Sequence, residues 1–264
     1  MKIHFIAGFP RAGSTMMAAI LNQNPKFKAY GPSPLCNMLL SVQHMMDSSH
    51  LGIDITDSSR ISAMKGLIEG FYEHTDKIPV DTCTYWTSKL PLINHLYPHA
   101  RVICCVRNLS WVIDSLERNV NNNWMQISGL ASGNNSSTLY SRISSYFAPD
   151  GVIGSSADSF REGYYGDFSN KLIIVDYDKI VHNPEYVMQR LYEYLGEENF
   201  QHDFNNLQFN LDAHDVKYAI RGLHTVRKKL EAFDRKTILP PDVFDKYKDT
   251  EFWKVDRNTD AILI

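Results

Sequence analysis

Residues able to grip an anion stand near the start of the sequence. An apolar run, Lys2 to Ala7, leads into Gly8-Phe9-Pro10-Arg11-Ala12-Gly13-Ser14-Thr15, and a second apolar run follows. A glycine-rich turn between a strand and a helix aims several backbone N–H groups into one concavity, with the positive end of the helix behind them. The Gly8-to-Gly13 spacing is that of a nucleotide phosphate loop, but Ser14 stands where an ATP-type loop carries its lysine. The basic group lies three residues earlier, at Arg11. Such a loop suits a phosphate-like group other than the γ-phosphate of a magnesium nucleotide, whose β- and γ-phosphates that lysine spans. The plainer alternative is a surface arginine in a tight turn, with Ser14 capping the helix.

A second pattern of the same kind is Arg107-Asn108-Leu109-Ser110-Trp111-Val112-Ile113-Asp114-Ser115. Arg107 follows an apolar run, and Asn108 is suited to cap the helix after it. Ser115 then falls about two turns along, on the face shared with Trp111 and Arg118. A guanidinium and a hydroxyl converging at a strand end make another anion site. The alternatives are a strand-end salt bridge for Arg107 and simple packing for Ser115.

These residues need strand ends and helix starts to hold them. Strands are expected at residues 2–7, 82–88, 101–106 and 171–175, each short, rich in β-branched or aromatic residues and bounded by turn signals. Helical patterns fall at residues 14–23, 34–47, 58–73, 109–121 and 184–195, with Gly196 as a C-cap. Residues 121–135, rich in Asn, Ser and Gly, suit a loop. Strands alternating with helices imply an α/β fold, a mostly parallel central sheet flanked by helices, with ligands at the carboxyl ends of its strands.

The 264 residues suit one domain, with a core over 1–196 and an extension over 197–264 folded back on it. The net charge of −3 and the lack of a basic stripe argue against nucleic acid as a partner. No run approaches the length of a membrane span and no secretory signal is read, so a cytoplasmic protein is expected. Four cysteines without metal-ligand spacing agree: Cys36 and Cys83 stand apart, and adjacent Cys104 and Cys105 would point to opposite sheet faces. The tripeptides at 108–110 and 134–136 match the glycosylation pattern but carry no meaning in that compartment.

The paired loops together resemble the sulfotransferases that use 3′-phosphoadenosine 5′-phosphosulfate (PAPS). The resemblance extends to Ser88-Lys89-Leu90-Pro91 and to Ile174-Val175-Asp176-Tyr177-Asp178 before the helix ending at Leu195-Gly196, covering roughly residues 1–23, 82–118 and 171–196. It implies a P-loop-like nucleotide-binding sulfotransferase architecture and PAPS as donor, giving adenosine 3′,5′-bisphosphate, without a metal. On it, Arg11, Ala12, Gly13, Ser14 and Thr15 hold the phosphosulfate, and Arg107 and Ser115 the 3′-phosphate. Tyr177 lies near the adenine, and Arg221-Gly222 closes over the 3′-phosphate, with Arg227 and Lys228 adding charge.

Lys89 would offset charge on the bridging oxygen as the sulfuryl group leaves; a lysine needs a strongly lowered pKa to act as a base. Phenol and steroid sulfotransferases carry a histidine there, and many relatives place a Glu after the first helix. Ala29-Tyr30-Gly31-Pro32-Ser33 has none. His44, Asp47, His50 and Asp54 are candidates for the missing base, and His44 is the one named. The acceptor is a hydroxyl or amine on a small molecule, carbohydrate or lipid, with Tyr30, Trp86, Trp124 and Tyr140 as aromatic candidates for its pocket. Two other functions remain open: a phosphate-loop kinase acting on a small molecule, with Asp176 holding magnesium, and a non-catalytic nucleotide-binding relative.

Overall fold

A computed structural model describes residues 1–47, 55–131, 137–211, 215, 221–256 and 258–264. His50, Asp54 and the tripeptide at 134–136 lie outside these. Six strands, β1 (His4–Gly8), β2 (Phe27–Pro32), β3 (Ile78–Thr82), β4 (Val102–Val106), β5 (Leu172–Asp176) and β6 (Ile262–Leu263), form one sheet in the order β2-β3-β1-β4-β5-β6. Every pairing is parallel. The chain leaves β1 toward β2 on one side and later leaves β4 toward β5 on the other. The turns after these two adjacent strands therefore diverge and open a crevice at their carboxyl ends.

β1, β4 and β5 are buried along their whole length, which is why they read as continuous apolar runs. β3 does not, because Pro79 and Asp81 interrupt it. Asp81 is fully buried and accepts hydrogen bonds from the Ser33 and Tyr72 hydroxyls and from the Trp86 indole at 2.6 Å. Burial pushes this carboxyl's pKa up, and the three donors oppose that.

The strand expected at 82–88 is corrected: the strand precedes it, and Thr84–Lys89 is a 3-10 segment. The Trp86 N–H reaches back to Cys83 O at 3.3 Å, which curls the chain and turns the indole inward onto Asp81.

The helices are α1 (Ser14–Leu21), α2 (Leu35–Asp47), α3 (Asp57–Phe71), α4 (Leu90–Leu96), α5 (Leu109–Asn122), α6 (Leu139–Tyr146), α7 (Gly154–Tyr165), α8 (Tyr177–His182), α9 (Pro184–Leu195), α10 (Pro241–Tyr247) and α11 (Phe252–Val255). α9 ends on Gly196 in the left-handed region, φ 67°, as its pattern predicts. Among the described residues no helix is long and apolar enough to cross a membrane.

The C-terminal chain is bound into the core at several points. β6 adds an edge to β5, and Trp253 of α11, fully buried, packs on Phe9 and Phe160 with ring centroids 5.4 and 5.8 Å away. The tryptophan thus buttresses the first residue of the turn after β1.

Candidate active site

The turn after β1 is shaped by close approach to β4. At Gly8, with φ 111°, a Cβ would lie 2.0 Å from Cys105 O, so only glycine lets the two strands meet there. The Phe9 N–H then donates to that carbonyl at 3.0 Å. Arg11 takes a left-handed conformation, φ 61°, which costs a non-glycine residue roughly 1–2 kcal/mol. Gly13, φ 97°, caps α1, and a Cβ on it would sit 3.2 Å from the Tyr177 ring. Its cap involves no side chain, so the Ser14 hydroxyl does not cap the helix. Met17 is the first residue whose N–H finds a helical acceptor, Gly13 O at 2.8 Å, which leaves the N–H groups of Ser14, Thr15 and Met16 as donors. The Ala12 N–H turns inward to Phe9 O at 3.3 Å.

The turn after β4 lies beside it. Asn108 caps α5, its side chain accepting from the Ser110 N–H at 3.1 Å. Arg107 Nη1 donates to Arg11 O at 3.4 Å, and Arg11 Nε donates to Ser115 Oγ at 3.0 Å. The Arg107 guanidinium thus rests on the Arg11 backbone, and the Arg11 guanidinium on the α5 hydroxyl. Because Ser115 accepts from Arg11, its own hydrogen remains to donate to a third group. The Arg107 guanidinium lies 4.0 Å from the centre of the Tyr177 ring, which stands between it and Gly13.

Neither arginine has an ion pair within reach among the described residues, and Arg107 Nε is buried with no hydrogen-bond partner. Burial, and then the charge of Arg107, pull the Arg11 pKa down to about 10, with Asp215 opposing. Burial lowers that of Arg107 as well. Two half-buried cations side by side, without an ion pair among the described residues, favour a bound anion.

A cavity of about 490 Å³ opens over these groups. Arg11, Gly13, Ser14, Thr15, Arg107, Ser115 and Tyr177 line it; Ala12, buried, does not. Arg221 and Gly222 are exposed and outside the lining, and the Arg221 carbonyl accepts from Asn119 of α5 at 3.0 Å and from Asn123, which caps its end, at 2.9 Å. Lys89 is half-buried at the end of the 3-10 segment, also outside the lining, with its charge felt by Cys36. His44 is exposed on α2, away from the cavity. Asp176 Oδ1 caps α8 through the Asp178 N–H at 2.9 Å, and its other oxygen lies 3.1 Å from Lys254 Nζ, an ion pair off the hydrogen-bond direction.

The chain from Leu223 to Arg235 covers the open side of the cavity, bringing Arg227, Lys229 and Arg235 to its wall. This strap is fastened by Asp114 of α5, a fully buried carboxylate. It accepts from Arg118 Nε at 2.9 Å, the Ile238 N–H at 2.9 Å and the Thr237 hydroxyl at 3.1 Å, and pairs with Arg235 at 2.7 Å. The strap also carries His224, whose Nδ1 lies 2.6 Å from Asp215. Sequence reasoning singled out the flanking Arg221-Gly222 and passed over this histidine; a lone imidazole inside a basic run was the available signal.

A parallel sheet with a glycine-bounded strand-to-helix turn at the point where its strand order reverses defines a P-loop-like fold. Residues 4–202 match the sulfotransferase family, and the chain belongs to it. Its fold is similar to the sulfotransferase domain from the curacin biosynthetic pathway, with a TM-score of 0.52, 15% identity and coverage of 95% of this chain and 91% of that one. It is likewise similar to a sulfotransferase from Alicyclobacillus acidocaldarius, with a TM-score of 0.50, 12% identity, and 82% and 90% covered. A Caenorhabditis briggsae relative named "Putative protein-tyrosine sulfotransferase" is 29% identical over 127 residues, which span 45% of this chain and 44% of that protein.

Proposed function

We propose that the cavity binds PAPS and that the protein, as a single domain, transfers the sulfuryl group to a hydroxyl or amine of a small-molecule, carbohydrate or lipid acceptor. The observation that carries this reading is the pair of half-buried guanidiniums, Arg11 and Arg107, without an ion pair among the described residues in the turns after neighbouring strands. A donor with anionic groups at both ends of its ribose answers two adjacent cation sites. The orphaned Arg107 Nε fits a bound phosphate at one of them.

In this scheme Arg11 and the N–H groups from Ser14 to Met16 hold the phosphosulfate, while Arg107 and the Ser115 hydroxyl hold the 3′-phosphate. Tyr177 keeps the Arg107 guanidinium flat and in place rather than facing the adenine. When bound, the donor supplies an activated sulfuryl group with a phosphate leaving group. Transfer by in-line displacement through a loose transition state asks the protein for positioning and charge stabilisation. Arg11, next to the phosphate loop, is the charge placed for the leaving oxygen. Lys89 and His44, outside the lining, have no role in it.

Calorimetric titration with adenosine 3′,5′-bisphosphate and with Mg-ATP tests the reading. Tight binding of the bisphosphate alone is expected; binding of Mg-ATP alone would favour the kinase, against which the engagement of Asp176 by Lys254 and the α8 cap already counts. Sulfuryl transfer from labelled PAPS to a panel of phenols, sugars and sterols separates an enzyme from a binding relative.

A further inference from the structure

Sulfuryl transfer to a hydroxyl leaves one proton needing a destination, and the sheet holds a carboxylate that the scheme above does not use. Asp81 of β3 is fully buried; burial pushes its pKa up, while its hydrogen-bond donors oppose that. One of the three donors differs from the other two. Tyr72 and Trp86 are buried in the core, but Ser33 is half-buried and lines the cavity. Of the three, Ser33 alone joins the carboxylate to the cavity.

The backbone fixes where Ser33 stands. Its N–H donates to Thr82 O at 3.0 Å, and the Cys83 N–H donates to Ile6 O at 3.0 Å, so the ends of β2 and β3 are tied in turn to β1. Ser33 and the phosphate loop thus line one cavity at the same end of the sheet. Arg107 and Ser115 belong to the other flank of β1, where β4 lies. A donor lying across the turns after β1 and β4 leaves its sulfuryl end facing β3 and β2, where Pro32, Ser33, Thr82 and Thr84 form the wall. The other carboxylates of the lining stand on α8 and the strap: Asp178 and Asp234 are exposed, and Glu231 pairs with Lys229 at 2.8 Å.

We propose that Ser33 and Asp81 form a proton relay for the acceptor hydroxyl; the proposal rests on the PAPS reading above. A hydroxyl has one hydrogen and two lone pairs. Ser33 Oγ gives its hydrogen to Asp81 Oδ2 and takes the Leu35 N–H at 3.2 Å on one lone pair, which leaves the other for the acceptor. The Tyr72 hydroxyl puts its own hydrogen on the same carboxylate oxygen. As the acceptor oxygen bonds to sulfur, its proton passes to Ser33 Oγ and the proton that Ser33 held passes to Asp81. The bond from sulfur to the 5′-phosphate oxygen breaks, and its electron pair stays on that oxygen. Asp81, now neutral, returns the proton to water through Ser33 once the product has left.

Ser33→Ala removes the first member of the relay, and Ser33→Thr keeps a hydroxyl there. Calorimetry with adenosine 3′,5′-bisphosphate should give wild type and both variants dissociation constants within about twofold of each other, which also shows that the variants fold. A loss of about tenfold or more in Ser33→Ala would make Ser33 a support of the donor site and overturn the relay alone. A wild type that binds no bisphosphate overturns the donor reading and the relay with it.

With labelled PAPS, transfer to 4-methylphenol should fall about 100-fold in kcat for Ser33→Ala, with the donor KM unchanged, and less than about fivefold for Ser33→Thr. Transfer to 4-nitrophenol, whose hydroxyl ionises readily near neutral pH, needs no relay and should fall less than about threefold in Ser33→Ala. Equal losses on the two phenols, or equal losses in the two variants, would mark a structural role and overturn the assignment. A wild type that binds the bisphosphate yet sulfates neither phenol overturns the relay and leaves the donor reading standing. Asp81→Asn, judged folded by its bisphosphate affinity, should repeat the split between the phenols; if it turns over 4-methylphenol as fast as wild type, the carboxylate takes no proton and the relay is refuted.

Discussion

The floor and the cover of the cavity are held by different means. The floor comes from two strand-to-helix turns on adjacent strands, and backbone geometry fixes it: Gly8 against Cys105, Gly13 against Tyr177, the Arg11 carbonyl against Arg107. The cover is a strap with little regular structure, tied down by side chains. Its main fastening, Asp114, meets Thr237 and Ile238 across 123 and 124 residues of sequence. On the proposed function, a floor fixed by backbone contacts would hold the donor while a wall that hangs on one carboxylate faces the acceptor.

The largest expected effect breaks the cover. Asp114→Ala leaves Arg118 and Arg235 without their shared buried partner, and removing one side of a buried ion pair costs about 3–5 kcal/mol. Denaturant unfolding should show a loss of that size, and trypsin should cut faster at Arg227, Lys228 and Lys236. If stability falls but the strap stays as resistant as before, the fastening lies elsewhere and the contrast between floor and cover is wrong.

Next comes the floor. Arg107→Ala removes charge-assisted hydrogen bonds worth about 2–3 kcal/mol, so affinity for adenosine 3′,5′-bisphosphate should drop roughly 30- to 150-fold. Stability should change little or rise, since a half-buried cation with no ion pair among the described residues is lost. A variant that binds as tightly as wild type would show that the two arginines form a structural pair and not an anion site.

The same contrast explains what was legible in the sequence. The floor could be read because each half lies within nine consecutive residues, where strand end, turn and helix start follow from local chemistry. Gly8, Arg11, Gly13, Arg107, Asn108 and Ser115 all come from such windows. β2 and β3 were harder, because Gly31 and Pro32 end one and Pro79 and Asp81 interrupt the other, masking the pattern of a buried strand. The cover was not legible, because Asp114 with Arg235, or Asp215 with His224, is a pairing made by the fold with no local pattern to announce it. His44 and Lys89 were drawn from plausible neighbourhoods in sequence, but the curl at Cys83 and the outward face of α2 carry them off the cavity lining.

A smaller effect, from the base of the sheet, separates acid sensitivity from the strap. His4 on β1 is fully buried and accepts the Arg101 N–H at its Nδ1, 3.1 Å away, which requires a neutral ring. Burial, then Lys2 and Arg101, pull its pKa down to about 3. Burial pulls His202 down to about 4. Between those values and about 6.5 the unfolded chain holds protons the folded one does not, so stability falls as pH falls through that window. His4 alone should account for about 2 kcal/mol at pH 5 relative to neutral pH, at about 1.4 kcal/mol per unit. Asp81, with its pKa raised in the folded state, works the other way at low pH, so the comparison that isolates His4 is His4→Gln, which should flatten the profile. The flattening should be the same in the Asp114→Ala background; a dependence on that background would couple the sheet base to the strap.

The smallest effect is the sharpest test of where the floor ends. Lys89 follows the curl at Cys83, beyond the residues of that segment that reach the cavity, Thr82, Cys83 and Thr84, and its ammonium makes no ion pair or hydrogen bond among the described residues. At that position it adds a field near Cys36 and touches no part of the proposed donor site. A partly exposed, unpaired charge of this kind is worth little to stability or binding. Lys89→Ala should therefore change bisphosphate affinity and turnover by less than about threefold, the scale of about 0.6 kcal/mol. A loss of turnover of 100-fold with affinity intact would mean that the segment uncurls when both substrates are bound and carries the lysine to the leaving oxygen. The floor would then extend across β3, and Arg11 would share the charge stabilisation assigned to it here.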